Sequence, residues 1–317
     1  MERFPAIESY DTGMLDVGDG NSVYWDVSGN PDGKPALCVH GGPGSGCPPG
    51  MRRNFDPRRY RIVQFDQRGC GRSTPHASDP ATDMSVNTTE HLIADMERLR
   101  KHLGIDRWLL YGGSWGTTLI LAYAEQYPHR VSEIVVSNVT TTRRTEIDWL
   151  YRGVARFFPE EFELFRQGAS AADDDLVTAY ARLMEHPDPL VRERAAHDWS
   201  AWEDTVVSLE PNAKPNAYSD KSPAALLAFV RITTHFLSNA AWLEEGALIR
   251  DAAQLAGIPG VLVHGRHDLS CPLDTAWELA RAWPGAELIV AEDGGHQGSP
   301  TKRAAKLQAL ARFSRER

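Results

Sequence analysis

The sequence predicts an α/β fold, with a mostly parallel central sheet flanked by helices and interrupted once by an inserted helical cap. Three observations carry this. Short apolar runs alternate with a helix-period stretch, a serine sits on a glycine-rich strand-to-helix turn, and about 110 residues of helical character separate two groups of strands.

Taken in order, Val23, Trp25 and Val27 alternate as a half-buried strand, and apolar runs at Ala36 to His40, Arg61 to Phe65, Trp108 to Tyr111 and Ile134 to Ser137 follow as further strands. A helix precedes Trp108. Asn87 with Glu90 reads as its start, Leu92, Met96, Leu99 and Leu103 make one apolar stripe, and Gly104 ends it. Such βαβ alternation implies a parallel sheet covered on both faces. After Val139 the strand signal stops until Gly257-Ile258-Pro259-Gly260. Aromatic residues accumulate between, namely Trp149, Tyr151, Phe157, Phe158, Phe162, Phe165, Trp199, Trp202, Phe229, Phe236 and Trp242. At helical spacing most of them should form the core of the cap, and a few should line a pocket. Ala171-Ala172-Asp173-Asp174-Asp175 reads as an exposed loop or helix start. Strands Gly260 to His264 and Glu287 to Ala291 resume the sheet, and Thr301 to Arg315 closes the chain as a helix. The expected layout is a core from 1–140 and 257–317, with the cap at 141–256.

Composition narrows the function. With 317 residues, 42% of them hydrophobic, the chain can bury one large core with an insertion. A net charge of −9 argues against a nucleic-acid binder, which needs clustered Lys and Arg. The pairs Arg52-Arg53, Arg58-Arg59 and Arg143-Arg144 read as solvated faces. No run of 18 apolar residues and no signal-like N-terminus occurs, so a soluble, cytoplasmic protein with no membrane partner is expected. Cys38, Cys47, Cys70 and Cys271 have neither metal-ligand spacing nor disulfide-scaffold density, and free thiols are expected. No His and carboxylate cluster has ligand spacing, so no metal or other cofactor is expected.

The chemistry concentrates in three places. Gly112-Gly113-Ser114-Trp115-Gly116 joins the run Trp108 to Tyr111 to the helix-like segment Thr117 to Gln126. A serine on so sharp an elbow brings backbone atoms together, and a Cβ at Gly112 or Gly116 would clash. The elbow lifts the Ser114 hydroxyl clear of the sheet and aims the helix N-terminus, with the Trp115 N–H, at a developing oxyanion. The motif alone occurs in many proteins without hydrolytic activity, so its strand and helix context carries the inference. His40-Gly41-Gly42-Pro43-Gly44 follows a strand and resembles the oxyanion loop of α/β-hydrolases, which pairs the Gly42 N–H with that of Trp115. A nucleophilic serine also needs a base and an acid that orients it, in the chain order Ser, acid, His. Asp268 and His296 each follow a strand, where open α/β sheets place their sites. His264, His267, Asp274 and Asp293 compete for these roles.

His40 to Gly44, the run Asp66-Gln67-Arg68-Gly69-Cys70-Gly71-Arg72-Ser73 and the tryptophan elbow together resemble the proline iminopeptidases of the α/β-hydrolase superfamily, over nearly the whole chain. The resemblance implies the α/β-hydrolase fold and release of N-terminal proline from a small peptide through an acyl-enzyme. It casts Ser114 as nucleophile, His296 as base and Asp268 as its partner. It also implies that Glu203, in Trp199-Ser200-Ala201-Trp202-Glu203, contacts the substrate amine, and that Phe236 and Cys271 lie close to the proline ring. A thiol adduct at Cys271 should then inactivate. One departure stands out: where the family carries a second amine-binding glutamate, this chain has Thr233. That change leaves open an esterase or amidase of the same fold acting on another small substrate. Asp204 and Glu244 are candidates to replace the missing carboxylate.

Overall fold

The computed structural model describes residues 2–169 and 175–315. Eight strands form one sheet: β1 (Ser9–Gly18), β2 (Asn21–Gly29), β3 (Lys34–Val39), β4 (Tyr60–Phe65), β5 (Trp108–Gly113), β6 (Val131–Ser137), β7 (Gly260–Gly265) and β8 (Ala286–Ala291). Their order is β1-β2-β4-β3-β5-β6-β7-β8. Strand β2 pairs antiparallel with β1 and with β4, and every later pairing is parallel.

Why the central strands read as continuous apolar runs is visible in the two faces of the sheet, since a parallel strand buried on both sides has no polar face. Leu37, Val39, Val63, Leu110, Ile134 and Leu262 pack against α1 (Thr89–His102) and α2 (Trp115–Gln126). The residues between them, Ala36, Cys38, Ile62, Leu109, Val135 and Val261, pack on the opposite face with Leu310 and Phe313 of α10 (Pro300–Phe313). The sequence pattern overlooks β1. Most of its side chains are solvent-exposed, so it carries no apolar alternation, and the turn Asp19-Gly20 that pairs it with β2 is its main signal. Helix α1 starts one residue later than Asn87 suggests. Thr88 caps it by accepting from the His91 N–H, while the Asn87 amide donates to the Arg68 carbonyl. Arg52 is not a solvated residue. It is buried, donating to Gln64 and paired with Asp26.

Between β6 and β7 lie α3 (Arg144–Tyr151), α4 (Pro159–Gly168), α5 (Leu176–Met184), α6 (Pro189–Val207), α7 (Pro223–Ser238) and the short α8 (Ala247–Arg250), with no strand among the described residues. These helices have their own core. Phe165 stacks on Tyr180 and on Trp202, and Tyr151 lies against Trp199 with ring centroids 4.5 Å apart. Phe157 is exposed and lies against Phe158, and the exposed Trp242 rests on Phe236. The segment Ala171 to Asp174 lies outside the described residues, and Asp175 caps α5 by accepting from the Thr178 N–H. Helix α9 (Leu273–Ala282) covers β7 and β8. No described helix is long and apolar enough to cross a membrane.

Candidate active site

Loops at the carboxyl ends of β3, β5, β7 and β8 meet beneath the inserted helices. Ser114 occupies the turn from β5 into α2 with φ 56° and ψ −132°, a left-handed conformation that costs a non-glycine residue about 1–3 kcal/mol. Its N–H holds the turn by donating to the carbonyls of Ser137 and Asn138, at 3.0 and 3.1 Å. The flanking glycines are required by crowding. A Cβ on Gly116 would sit 2.5 Å from the Val39 carbonyl oxygen, and one on Gly112 would sit 2.7 Å from it. The His40 to Gly44 loop lies directly against this elbow, since a Cβ on Gly41 would stand 3.4 Å from Ser114 Cβ and 3.9 Å from the Trp115 nitrogen.

The run Asp66 to Ser73 turns out to be the scaffold of that loop. His40 is buried and neutral: its Nδ1–H donates to the Gly41 carbonyl and its Nε2 accepts from the Gln67 N–H. The Gln67 side chain then donates to the His40 carbonyl at 2.9 Å and accepts from the Trp115 indole at 2.9 Å. One amide thus ties the glycine loop to the elbow helix. Burial works against a charge on Asp66, but Arg72 and the N–H groups of Cys47 and Arg72 outweigh it and hold the carboxyl below its usual range. Arg68 makes a buried bidentate pair with Asp95, at 2.7 and 2.8 Å.

His296 turns Nδ1 toward both oxygens of Asp268, each 3.1 Å away. Burial disfavours its charge, yet the Asp268 carboxylate, by charge and hydrogen bond, outweighs burial and raises the imidazole pKa above its ordinary value. The same pairing lowers that of Asp268, against its own burial. The competing residues have other duties. His264 donates through Nε2 to the Cys271 carbonyl and accepts through Nδ1 from the Val139 N–H. His267 and Asp274 are exposed, and Asp293 accepts from Ser299 and Thr301 at the start of α10. Asp268, Cys271 and His296 also form the one group of possible metal ligands among the described residues, within 4.8 Å of one another. Two of the three are there engaged with each other.

A cavity of about 220 Å³ joins these parts, its wall including Gly42, Ser114, Trp115, Tyr151, Glu203, Thr233, Cys271 and His296. Glu203 comes from α6 and is buried. Its Oε1 accepts from the Tyr151 hydroxyl at 2.9 Å and from the Trp199 indole at 3.0 Å, the latter one turn earlier on the same helix. Burial raises its carboxyl to about 7, against the two hydrogen bonds and the nearby cations Lys221 and His296. Thr233 also faces the cavity, and its hydroxyl donates to the Pro43 carbonyl at 2.9 Å. Neither candidate replacement carboxylate reaches the site. Asp204 accepts from the N–H groups of Tyr218 and Ser219, and Glu244 is exposed and paired with Arg250. Phe236, expected close to the proline ring, is buried on α7. On α7 it is Thr233 and Leu237 that face the cavity, while Phe236 packs edge-on against the Trp115 ring with centroids 4.8 Å apart. Its contribution is to hold the elbow tryptophan from behind.

Two residues of the site escape sequence patterns, and Tyr151 is legible only as one cap aromatic among many. Asn138 and Lys302 act through contacts that no periodicity records: the Asn138 amide donates to the His296 carbonyl, and the buried Lys302 ammonium donates to the carbonyls of Gly295 and the Asn138 side chain. A lysine with 1% exposure is the only hint, and burial is invisible in a sequence.

The profile of the alpha/beta hydrolase fold matches residues 34–302. The chain is 49% identical to a probable proline iminopeptidase of Streptomyces coelicolor, over 99% of this chain and 98% of that protein. It is 44% identical to a proline iminopeptidase of Xylella fastidiosa, over 92% and 93% of the two chains, and 40% identical to one of Arabidopsis thaliana, over 96% and 80%. Among solved structures, VinJ superposes with a TM-score of 0.69 at 18% identity, covering 97% of this chain and 99% of that one. Proline iminopeptidase of Mycobacterium smegmatis gives 0.60 at 19%, covering 96% and 99%. At these identities the structural likeness speaks for the fold.

Proposed function

Since the chain belongs to the proline iminopeptidases within the alpha/beta hydrolase fold, we propose that it is a serine exopeptidase that releases proline from the free N-terminus of a small peptide. The observation that carries this reading is Glu203: a buried carboxylate opening on the same cavity as Ser114 supplies the counter-charge that a buried substrate ammonium requires.

Ser114 Oγ attacks the prolyl carbonyl while its proton passes to His296 Nε2, the nitrogen left over once Nδ1 is engaged by Asp268. The oxyanion is stabilised by the N–H groups of Trp115 and Gly42. The imidazolium then protonates the departing amine, the shortened peptide leaves, and water, deprotonated by His296, releases proline from the serine ester. Thr233 and Cys271 shape the wall near the ring, while Phe236 serves through Trp115. We assign residues 1–140 and 257–317 to the hydrolase core and 141–256 to the cap. The four cysteines are unpaired, which favours a reducing compartment, and we place the enzyme in the cytoplasm.

Thr233 favours one competing reading, an esterase or amidase whose substrate lacks the ammonium, because a hydroxyl committed to Pro43 is no substitute for a carboxylate. The deciding experiment compares turnover of proline, alanine and N-acetyl-proline arylamides and a short aryl ester, with Ser114→Ala as blank. Preference for the free proline amide, lost on acetylation, supports the aminopeptidase. Rapid ester cleavage with little proline amide turnover replaces it by the esterase.

A further inference from the structure

The segment that follows α6 reaches down onto the loop that carries His296. Glu210, at 6% exposure, accepts from the His296 N–H through Oε1 at 2.6 Å and from the Gln297 N–H through Oε2 at 2.9 Å. The fit is tight, since a Cβ on Gly295 would lie 2.3 Å from the Glu210 carboxyl carbon. Neighbouring contacts continue the seam: the Asn212 amide donates to the Asp293 carbonyl at 2.8 Å, and the Lys214 N–H donates to the Gln297 side chain at 2.8 Å. Helix α6 and the segment just beyond it thereby place two carboxylates on different targets, Glu203 in the cavity and Glu210 on the histidine loop.

We propose that Glu210 is a positioning residue for the reaction: its carboxylate fixes the backbone of His296 and so makes the readiness of the catalytic base depend on the docking of the cap. The inference rests on the reading of Ser114 and His296 given above. A carboxylate that accepts two successive N–H groups holds a loop more firmly than a neutral acceptor, because hydrogen bonds to charge are stronger and the second oxygen leaves no slack. The His296 carbonyl is held at the same time by Asn138. With both backbone groups fixed, the imidazole keeps Nδ1 on Asp268 and Nε2 toward the cavity. Glu210 also adds to the field at the imidazole, together with Asp268, Lys302, His264 and Glu203. Removing the Glu210 charge should therefore lower the pKa of His296, since a nearby negative charge favours the imidazolium.

The test reads the base without relying on the substrate. A fluorophosphonate phosphonylates an activated serine, forming an O–P bond with loss of fluoride, so its rate of reaction with Ser114 can be followed against pH in the full-length enzyme, beside proline amide turnover. Glu210→Gln should slow labelling about tenfold to a hundredfold, the usual cost of misplacing a reactive group. It should also move the acid limb to lower pH, with KM for the proline amide little changed. Glu210→Asp keeps the charge but is too short to reach both N–H groups. It should slow labelling while leaving the acid limb in place, and it carries the test if the Gln variant folds poorly. Asn212→Ala, on the same seam but touching only the Asp293 carbonyl, should label like the parent. Labelling of both Glu210 variants at the parental rate with the parental pH profile overturns the proposal. A parent enzyme that does not label at all overturns the reading of Ser114 instead, and one that labels but ignores proline amides overturns only the substrate.

Discussion

Beneath the cavity, Ser114 and the His40 to Gly44 loop are held by backbone approaches so close that Gly112 and Gly116 cannot carry a Cβ. Above it, Glu203 is held by side chains, the Tyr151 hydroxyl and the Trp199 indole, within a cap packed from aromatic rings. The difference has a functional consequence. A floor set by main-chain contacts cannot be altered by one substitution without losing the turn, so its chemistry is fixed. A roof set by side chains can exchange one polar group for another, and the floor need not move. Reaction type should follow the floor and substrate choice the roof.

The sharpest way to break that division is at the floor. Ser114→Ala should lower both amide and ester turnover by roughly 10⁴-fold or more, with an unchanged thermal midpoint. Ester turnover that survives the substitution would place the nucleophile elsewhere. Next in size is Gly116→Ala, which puts a methyl group 2.5 Å from the Val39 oxygen and should destabilise by about 3 kcal/mol in urea titration. Gly50→Ala, where nothing lies within 4 Å of the added carbon, is the control. Equal midpoints for the two variants would remove crowding as the reason for the elbow glycines.

A change in the roof should separate the substrates. Glu203→Gln keeps an acceptor for Tyr151 and Trp199 but removes the charge, and should raise KM for free proline amide by about tenfold to a hundredfold, the worth of 1.5–3 kcal/mol for a charged hydrogen bond. Aryl ester turnover should be untouched. The pH profiles extend the contrast, because kcat/KM reports the free enzyme. On the proposed mechanism His296 must be neutral, and its raised pKa means that activity on any substrate falls as pH drops through a value above 6.5. On the same mechanism Glu203 must be ionised, and with a carboxyl at about 7 amine binding should fall over the same range. The acid limb should be second order for proline amide and first order for the ester; one shared slope would detach Glu203 from amine binding. Stability runs the other way. A carboxyl raised from 4.5 to about 7 by burial favours the folded state at low pH and loses that advantage as pH rises from 4.5 through 7. Glu203→Gln should therefore be more stable than the parent at pH 8, by up to about 3 kcal/mol.

The same division explains what could be read in the sequence. Gly112, Gly116 and the His40 to Gly44 loop announce themselves because a forbidden Cβ is a constraint on residue type, and Asp268 and His296 because strand ends fix their place. In the cap, helical spacing marks Trp199 and Trp202 as core, but nothing in the spacing shows which carboxylate turns inward. Only the family resemblance singles out Glu203 and Phe236, and nothing in the spacing shows that the Phe236 ring backs Trp115. Arg52 and Lys302 were illegible because a buried cation is defined by distant partners, Asp26 and Gln64 for one, Asn138 and Gly295 for the other. Strand β1 escaped because an exposed edge strand imposes almost no pattern.

Cys271 sits where floor and roof meet, and it offers the smallest perturbation. Its N–H donates to Asp268 and its carbonyl accepts from His264, so its backbone belongs to the floor while its thiol faces the cavity. Cys271→Ser leaves both backbone contacts in place and should retain nearly parental turnover. Burial, reinforced by the Asp268 charge, pushes the thiol pKa well up, so the reactive thiolate is scarce at neutral pH and maleimides should react slowly. A compact mercurial should enter more readily, and either adduct would fill part of a space of about 220 Å³. Inactivation should therefore track modification of Cys271, followed by mass spectrometry, and Cys271→Ser should be resistant. An enzyme fully labelled at Cys271 yet fully active would mean that substrate does not use that wall, and the proline ring would have to lie on the Thr233 and Leu237 side of the cavity.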